Sequence, residues 1–582
     1  MAKSNDIELI RHSLSHLMSM VVQELYPGVG LGVGPVIENG FYQDYDLPEV
    51  ITPEILPKLE ERMRELIKKD IKFEQHDMNF DEALKLYKDD PYKTELINDL
   101  KTAGESKVSF YKSGDFDNLC LGPHVGSTKE INPEAFKITH IAGAYWRGNE
   151  KNKMLTRIYG LAFESKEKLE EYLAMQEEAK KRDHRKLGKE LDLFTFSPNI
   201  GSGLPLYTPK GALIRQLLNN YIEELQTEAG YTQVWTPQIA KAELFKISGH
   251  YNKYKDSMFR VVSNYSDEEF FLKPMNCPQH TQIYASQPRT YKDLPLRYTD
   301  FAMLYRDEQP GELNGLARVR SFSQDDCHIF CREDQVDHEV DVALEMTKKV
   351  LKTFGFKYKY RLSTRDPKNL DKYLGDPKTW DKVEKWAEEI MKRHKIDYFD
   401  GPGEAAFYAP KMDLLVTDAL GREWQISTVQ IDFVMPERFD LKYIDKDGKE
   451  KRPVMLHRAI LGSPERFLMI LIEQYAGNFP LWLSPVQVKV IPVRENHNTY
   501  AQEVYDLLKE NGIRAEVDLA DENLGKKVRA AKNQKIPYWI VLGDKEAESK
   551  EITIESRNGE KIGPLSLEKL LDLLQKEIKE KK

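Results

Sequence analysis

From Pro485 the chain keeps one rhythm to its end, and that rhythm leaves few folds open. VQVKVIPV is followed by a helical run at about 497–511, then IRAEVDL, a second helix at about 525–533, and PYWIVLG. Strand, helix, strand, helix and strand within roughly sixty residues predict a parallel sheet, because parallel neighbours need a long crossover rather than a tight turn. EITIES and a helix at 565–579 complete the segment, so 485–582 reads as a small α/β domain. A unit of that size takes up little of a 582-residue chain, and the remainder must form further domains.

The block 191–484 is written differently, with many aromatics and isolated arginines. A long amphipathic helix is predicted at about 209–229, with Pro209 at a first-turn position. The extended runs RYTDFAMLYRDE, ARVRSFSQDDCHIFC, PKMDLLVTDALG and STVQIDFVM follow, and the mixture predicts an antiparallel sheet flanked by helices. Residues 165–190 read as a single charged linker helix. Residues 1–164 open with a helix at about 6–26 and continue through Gly-punctuated extended segments, as in an α+β domain. The fold class is therefore α+β multidomain, with the α/β unit at its C-terminal end.

Composition narrows the function classes. No run approaches the 18 or more apolar residues of a membrane helix, and the N-terminus lacks the apolar centre of a secretory signal. Four cysteines (Cys120, Cys277, Cys327, Cys331) make no disulfide framework, so a reducing cytoplasm is expected. With 86 basic against 95 acidic residues the net charge is −9, which speaks against a chain coated in nucleic acid but leaves local basic patches open.

Three constellations could carry chemistry. His12-x-x-x-His16 places two imidazoles on one helix face, and Cys120-x-x-x-His124 follows downstream. Alone, the histidine pair reads first as two partly buried or solvated helix residues. With the Cys–His pair, residue types suit a tetrahedral zinc or a water-activating hydrolytic pocket. In the stretch Arg297 to His328, Arg306 and Glu308 are expected on one face of a strand, and a loop returns to Arg318 and Arg320. Such an arginine can fork onto phosphate and such a carboxylate can accept from an amino group; surface ion pairs are the alternative. Arg466 sits in the otherwise apolar LHRAILGSPERF, where a charge needs either an anionic ligand or a structural carboxylate.

These pieces coincide with one family. FAMLYRDE with ARVRSFSQDDCHIF resembles motif 2 of the class II aminoacyl-tRNA synthetases, LHRAILGSPERF resembles motif 3, and the 209–229 helix with TQVWTP resembles motif 1. KPMNCP, QDDCHIF, AAFYAPK, EWQISTVQIDF and HRAILGS together resemble threonyl-tRNA synthetases, and RHSLSHL with CLGPHV resembles their proofreading domain. The resemblance implies a class II antiparallel-sheet catalytic core (191–484), an N-terminal editing domain (1–164) and a C-terminal anticodon-binding domain (485–582). It implies one Zn2+ per subunit on Cys277, His328 and His457, although Cys277-x-x-His280 is the local pair that spacing alone would favour.

By the same matching, Asp326 receives the threonine hydroxyl while Tyr408, Gln425, Gln430 and Ser463 line the substrate. Arg306 holds the α-phosphate of ATP, Glu308 the adenine, and Arg318 and Arg466 the outer phosphates with Mg2+. His12, His16, Lys107, Cys120 and His124 match the editing pocket. The implied activity is threonine–tRNA ligation with hydrolysis of Ser-tRNA(Thr). L-threonine, ATP and tRNA(Thr) are its partners, in a cytoplasmic homodimer with no membrane. A synthetase-like accessory or regulatory protein without aminoacylation is the alternative.

Two positions depart from the family pattern: Asn118 stands where an aspartate precedes the editing cysteine, and Gln43 where a second tyrosine follows GFY. Many bacterial members also begin with a ubiquitin-like domain, whereas this chain starts almost directly at the editing domain. The C-terminal domain carries 18 basic and 18 acidic residues, so any attraction to RNA must be local. Lys526, Lys527, Arg529, Lys532 and Lys535 form a stretch free of acids, read as a phosphate-tracking stripe or a solvated helix face. Glu546 and Arg557 match positions expected near anticodon bases.

Overall fold

Leu14, Leu17, Met18, Val21 and Val22 repeat at helical spacing, and all are buried on one side of helix Ser4–Leu25. The computed structural model describes residues 4–582, with side chains from Asp6 onward. The chain divides into two compact units, one up to Glu177 and one from Glu178 to Lys582.

In the first unit that helix packs with Leu59 and Met63 of helix Leu56–Ile67 and with Phe41, Tyr45, Phe136 and Ile158 of an antiparallel sheet. The sheet's main path runs Gly30–Leu31, Gly40–Asp46, Met154–Ala162, Phe136–Tyr145. A second, three-stranded sheet (Glu74–Met78, Val108–Ser113, Phe116–Leu119) is backed by helices Phe80–Leu86 and Pro91–Thr102 through Ala83, Ile97 and Phe110. The expected α+β mixture is present.

The linker expected as one helix over 165–190 is two, Lys166–Arg182 and His184–Glu190. Asp183 causes the break. Its backbone leaves the helical region (φ −49°, ψ 117°) and its carboxylate accepts the Arg185 amide, so it ends one helix and caps the next.

The second unit is built on an eight-stranded sheet. Its order is Thr232–Gln233, Leu296–Tyr305, Ser321–Cys331, Val454–Ala459, Glu423–Asp432, Lys411–Thr417, Lys357–Thr364, Tyr398–Pro402. Its interior pairings are antiparallel, as expected, and only the two outermost are parallel. Helices Val336–Phe354 and Pro464–Gln474 cover it and bury Val340, Leu344, Phe467 and Leu471. Helix Pro209–Glu228 starts at the expected proline, with Thr208 accepting the Gly211 amide.

The C-terminal part holds the predicted parallel trio, Ala515–Val517, Val488–Pro492 and Tyr538–Leu542. Ile552–Ser556 and a fifth strand, Lys561–Leu565, continue it antiparallel, so the sheet is mixed. The physical reason is length: the connection between Leu542 and Ile552 holds only the short helix Asp544–Ser549, too little for a crossover.

Candidate functional site

Strand register builds the centre of the larger unit. His328 lies directly opposite His457 on the neighbouring strand, and His457 lies opposite Gln430 on the next. Directly opposed residues have side chains about 4.5–5.5 Å apart at Cβ, so the two imidazoles must meet. Cys277 joins them from the first turn of helix Cys277–Ala285, and the three donor atoms lie within 4.8 Å of one another. All three side chains are buried. His457 Nε2 is 2.7 Å from Asp432 Oδ2, His328 Nδ1 is 2.8 Å from His280 Nδ1, and His328 Nε2 is 3.0 Å from His457 Nδ1. A sulfur and two imidazoles, with a carboxylate oriented behind one of them, form a donor set that fits a divalent ion of borderline softness. His280 therefore stands behind a candidate ligand rather than acting as one.

Asp326, Tyr408, Gln425, Gln430 and Ser463 line the same cavity, about 530 Å3 in volume, as do Arg306, Glu308, Arg318 and Arg466. Asp326 is buried beside His328, with 3.7 Å between Oδ1 and Nε2, and burial raises its pKa. Tyr408 packs on the His457 ring at 4.8 Å. Gln430 Oε1 is buried without a hydrogen-bond partner, so it is open to a ligand. Gln425 is not open in that way: it accepts from Arg361 and donates to Asp413. Ser463 caps helix Pro464–Gln474 and donates to Glu465.

The arginines gather at the other end. The strand ends at Tyr305, so Arg306 and Glu308 stand on the loop beyond it rather than on one strand face as expected. The ladder stops because the Glu308 amide turns back onto the Arg306 carbonyl. Among the described residues the Arg306 guanidinium has no hydrogen-bond acceptor; it lies over the Phe322 ring at 5.1 Å. Burial lowers its pKa, and the pKa of Arg466 is lowered by burial and by the positive charges of Arg306 and Arg318. Like charges held together this way call for an anion. Arg318 is engaged by Glu308 at 2.7 Å and Glu312 at 3.1 Å, so ligand contacts from this pair require the ion pair to part.

The smaller unit has its own cavity, about 540 Å3, lined by His12, His16, Lys93, Asn118, Cys120 and Gln43 among others. Cys120 Sγ is 3.3 Å from His12 Nε2 and 3.2 Å from His124 Nε2. The far nitrogens are held in turn, His12 Nδ1 by the Pro123 carbonyl and His124 Nδ1 by Ser13 Oγ. Burial lowers the pKa of His16 to about 3 and of His124 to about 2, so both rings are neutral at ordinary pH. Lys107 is not brought here. It lies on the surface, 66% exposed, 4.0 Å from Asp77. Lys93 occupies the cavity instead, 3% exposed, its pKa lowered to about 8 by burial. It escaped the sequence reading because nothing in DDPYKTEL separates an inward lysine from a solvated one. Asn118 Oδ1 is buried and unpartnered.

Comparison with known proteins decides the family. Three family models match: the tRNA synthetase class II core domain (G, H, P, S and T) at 259–475, the anticodon binding domain at 487–577, and the threonyl and alanyl tRNA synthetase second additional domain at 108–159. The threonine–tRNA ligase of Deinococcus radiodurans is 50% identical over 560 residues, covering 95% of this chain and 86% of that protein. That of Chlorobium phaeobacteroides is 47% identical over 578 residues, covering 98% and 87%. The chain belongs to the threonine–tRNA ligase family. Among solved structures, the RNA binding domain of threonyl-tRNA synthetase from Cryptosporidium parvum aligns with a TM-score of 0.64 at 37% identity, covering 68% of this chain and 98% of that one.

For a threonine–tRNA ligase the expected architecture is thus in place: a class II core on an antiparallel sheet, an additional domain of the editing type and an anticodon-binding domain. In the last of these, the basic stretch does not form one face. Lys526 pairs with Glu522 and Arg529 is exposed on helix Leu524–Asn533. Lys527 turns inward, 4% exposed, and donates to the Asp518 carbonyl. Arg557 donates to the carbonyls of Lys535 and Phe479, and Glu546 accepts the Gly543 amide.

Proposed function

We propose that the chain activates L-threonine with ATP and transfers it to tRNA(Thr), with Cys277, His328 and His457 holding a zinc ion in the synthetic site. The observation that carries this reading is one cavity with a Cys–His–His donor set at one end and an unpaired Arg306 with Arg466 at the other. Bound zinc would supply open positions for the amino and hydroxyl groups of threonine, which valine cannot fill. Asp326 accepts the substrate hydroxyl, while Tyr408 and Gln430 close around the side chain. Arg306 and Arg466 neutralise the phosphates of ATP, which enters with Mg2+, and Glu308 reads the adenine amino group. A threonine carboxylate oxygen then attacks the α-phosphorus and pyrophosphate departs; positioning and charge neutralisation are the protein's contribution. A terminal ribose hydroxyl of the tRNA displaces AMP from the adenylate.

Serine lacks only a methyl, worth about 1–3 kcal/mol, so a second site is required. The cavity lined by His12, His16 and Cys120, with His124 against the Cys120 sulfur, serves it by hydrolysing the Ser-tRNA(Thr) ester with water. Imidazoles so reluctant to take a proton position the water, and Lys93 is the better-matched proton acceptor. Arg529 and Lys526 track the anticodon stem. Homodimerisation is read from the motif 1 resemblance and from Trp235, 75% exposed beside the edge strand Thr232–Gln233. No helix of the described residues is long and apolar enough to cross a membrane; with four free cysteines this supports a cytoplasmic setting. ATP–pyrophosphate exchange with a panel of amino acids tests the reading: threonine alone should support rapid exchange, and none with any amino acid would return the accessory-protein alternative.

A further inference from the structure

His184 lies far from Leu316 in sequence, yet the fold sets it behind the loop that lines the arginine end of the cavity. Its ring is buried, 3% exposed. Nδ1 donates to Glu473 Oε1 at 2.7 Å, and the same oxygen accepts the His184 amide at 3.2 Å. Since Nδ1 carries the proton, Nε2 presents a lone pair, and the Leu316 amide donates to it at 3.1 Å. Asp183, His184 and Glu473 could by distance hold a metal, but every His184 donor and acceptor is already satisfied by protein.

The loop answers in kind. Gly315 has φ +48°, and a Cβ there would lie 2.0 Å from His184 Nε2, so only glycine lets the ring approach. The next residues, Leu316, Ala317 and Arg318, line the cavity, and the Ala317 carbonyl accepts Arg466 Nε at 3.1 Å. Glu473 is held from behind by Arg422, and the Arg182 guanidinium donates to the Glu473 and Gln474 carbonyls. The whole forms a rigid peg: helix Pro464–Gln474 carries Arg466 near its start and Glu473 near its end, and His184 joins that end to the arginine loop.

We propose that His184 is a positioning residue for ATP binding, which fixes the Gly315–Ala317 turn through Leu316 and so sets Arg318 and Arg466 at the phosphates. The proposal rests on the assignment of the arginine end to ATP. Asparagine can replace the Nδ1 donor but not the Nε2 acceptor, whereas glutamine places its carbonyl where Nε2 was.

In pyrophosphate exchange, His184→Asn should raise the KM for ATP about tenfold, as loss of one positioning hydrogen bond allows, with the KM for threonine unchanged. His184→Gln should restore most of the loss. Gly315→Ala, which pushes the loop from the ring without touching Glu473, should show the same split and decides the matter should the asparagine variant not fold. A wild-type KM for ATP in His184→Asn and Gly315→Ala overturns the proposal. So does an equal rise in both KM values in His184→Asn and His184→Gln, which marks a merely structural histidine. The ATP-site assignment fails separately, if Arg466→Ala leaves exchange intact.

Discussion

Arg306 is the residue whose surroundings demand a ligand most plainly, since a half-buried guanidinium without an acceptor is partly stripped of water until an anion arrives. Arg306→Ala and Arg466→Ala should each cost about 2–4 kcal/mol of transition-state stabilisation, two to three decades in adenylate formation, with threonine affinity little changed. Stopped-flow pyrophosphate exchange measures this. Cys277→Ser should release the metal and abolish threonine activation, read by elemental analysis of purified protein alongside exchange; full activity in a demonstrably metal-free preparation would falsify the zinc assignment. At this scale the sequence was unevenly informative. Cys277, His328 and His457 were reached only through family resemblance, because strand register and a helix start far apart in the chain bring them together. Lys107, implied by the resemblance, stays on the surface while Lys93 lines the cavity, because local sequence does not tell which lysine faces inward.

At the scale of elements, helix Pro209–Glu228 shows how close packing constrains a site's scaffold. A Cβ at Gly211 would lie 1.8 Å from the Leu193 carbonyl oxygen, and backbone cannot step aside cheaply. Gly211→Ala should therefore destabilise the larger unit by about 1–3 kcal/mol, seen as a lower denaturation midpoint with an unchanged m-value. Helix Ser4–Leu25 makes a pH prediction. His16 has a folded pKa of about 3 against an ordinary 6.5, so between those values the unfolded chain binds more protons. Stability of the smaller unit should be full above pH 6.5 and fall as pH drops below it, by up to ~1.4 kcal/mol per unit for this group. Hydrogen exchange of the helix at pH 7 and 5, corrected for intrinsic rates, should show the loss, and His16→Gln should lessen it.

On the scale of the whole molecule, the two cavities lie in separately compact units, each with its own core. Substitutions at well-separated sites act independently. His12→Ala with His16→Ala should leave threonine activation and tRNA charging nearly intact while Ser-tRNA(Thr) accumulates. Single-turnover release of serine from pre-charged tRNA is the measurement, and equal release by wild type and double variant removes the editing role. Asn118→Asp, which puts a carboxylate where a buried amide oxygen has no partner, should speed that release.

Periodicity and turn chemistry are local, so the sequence alone determined where most helices and strands fall, the shift to α/β alternation after Pro485, and the family. Beyond its reach lay, among other features, the break at Asp183, the antiparallel pairing of Ile552–Ser556, the loss of Arg306 and Glu308 from the strand face, and the inward turn of Lys527. The Asp183 cap and the short connection before Ile552 are local causes that periodicity does not register, whereas the turn of Lys527 depends on what packs against it. The peg from His184 to Leu316 is the extreme case. Nothing near either residue announces the other, and only the folded sheet and helix place a lone pair 3.1 Å from an amide that needs it.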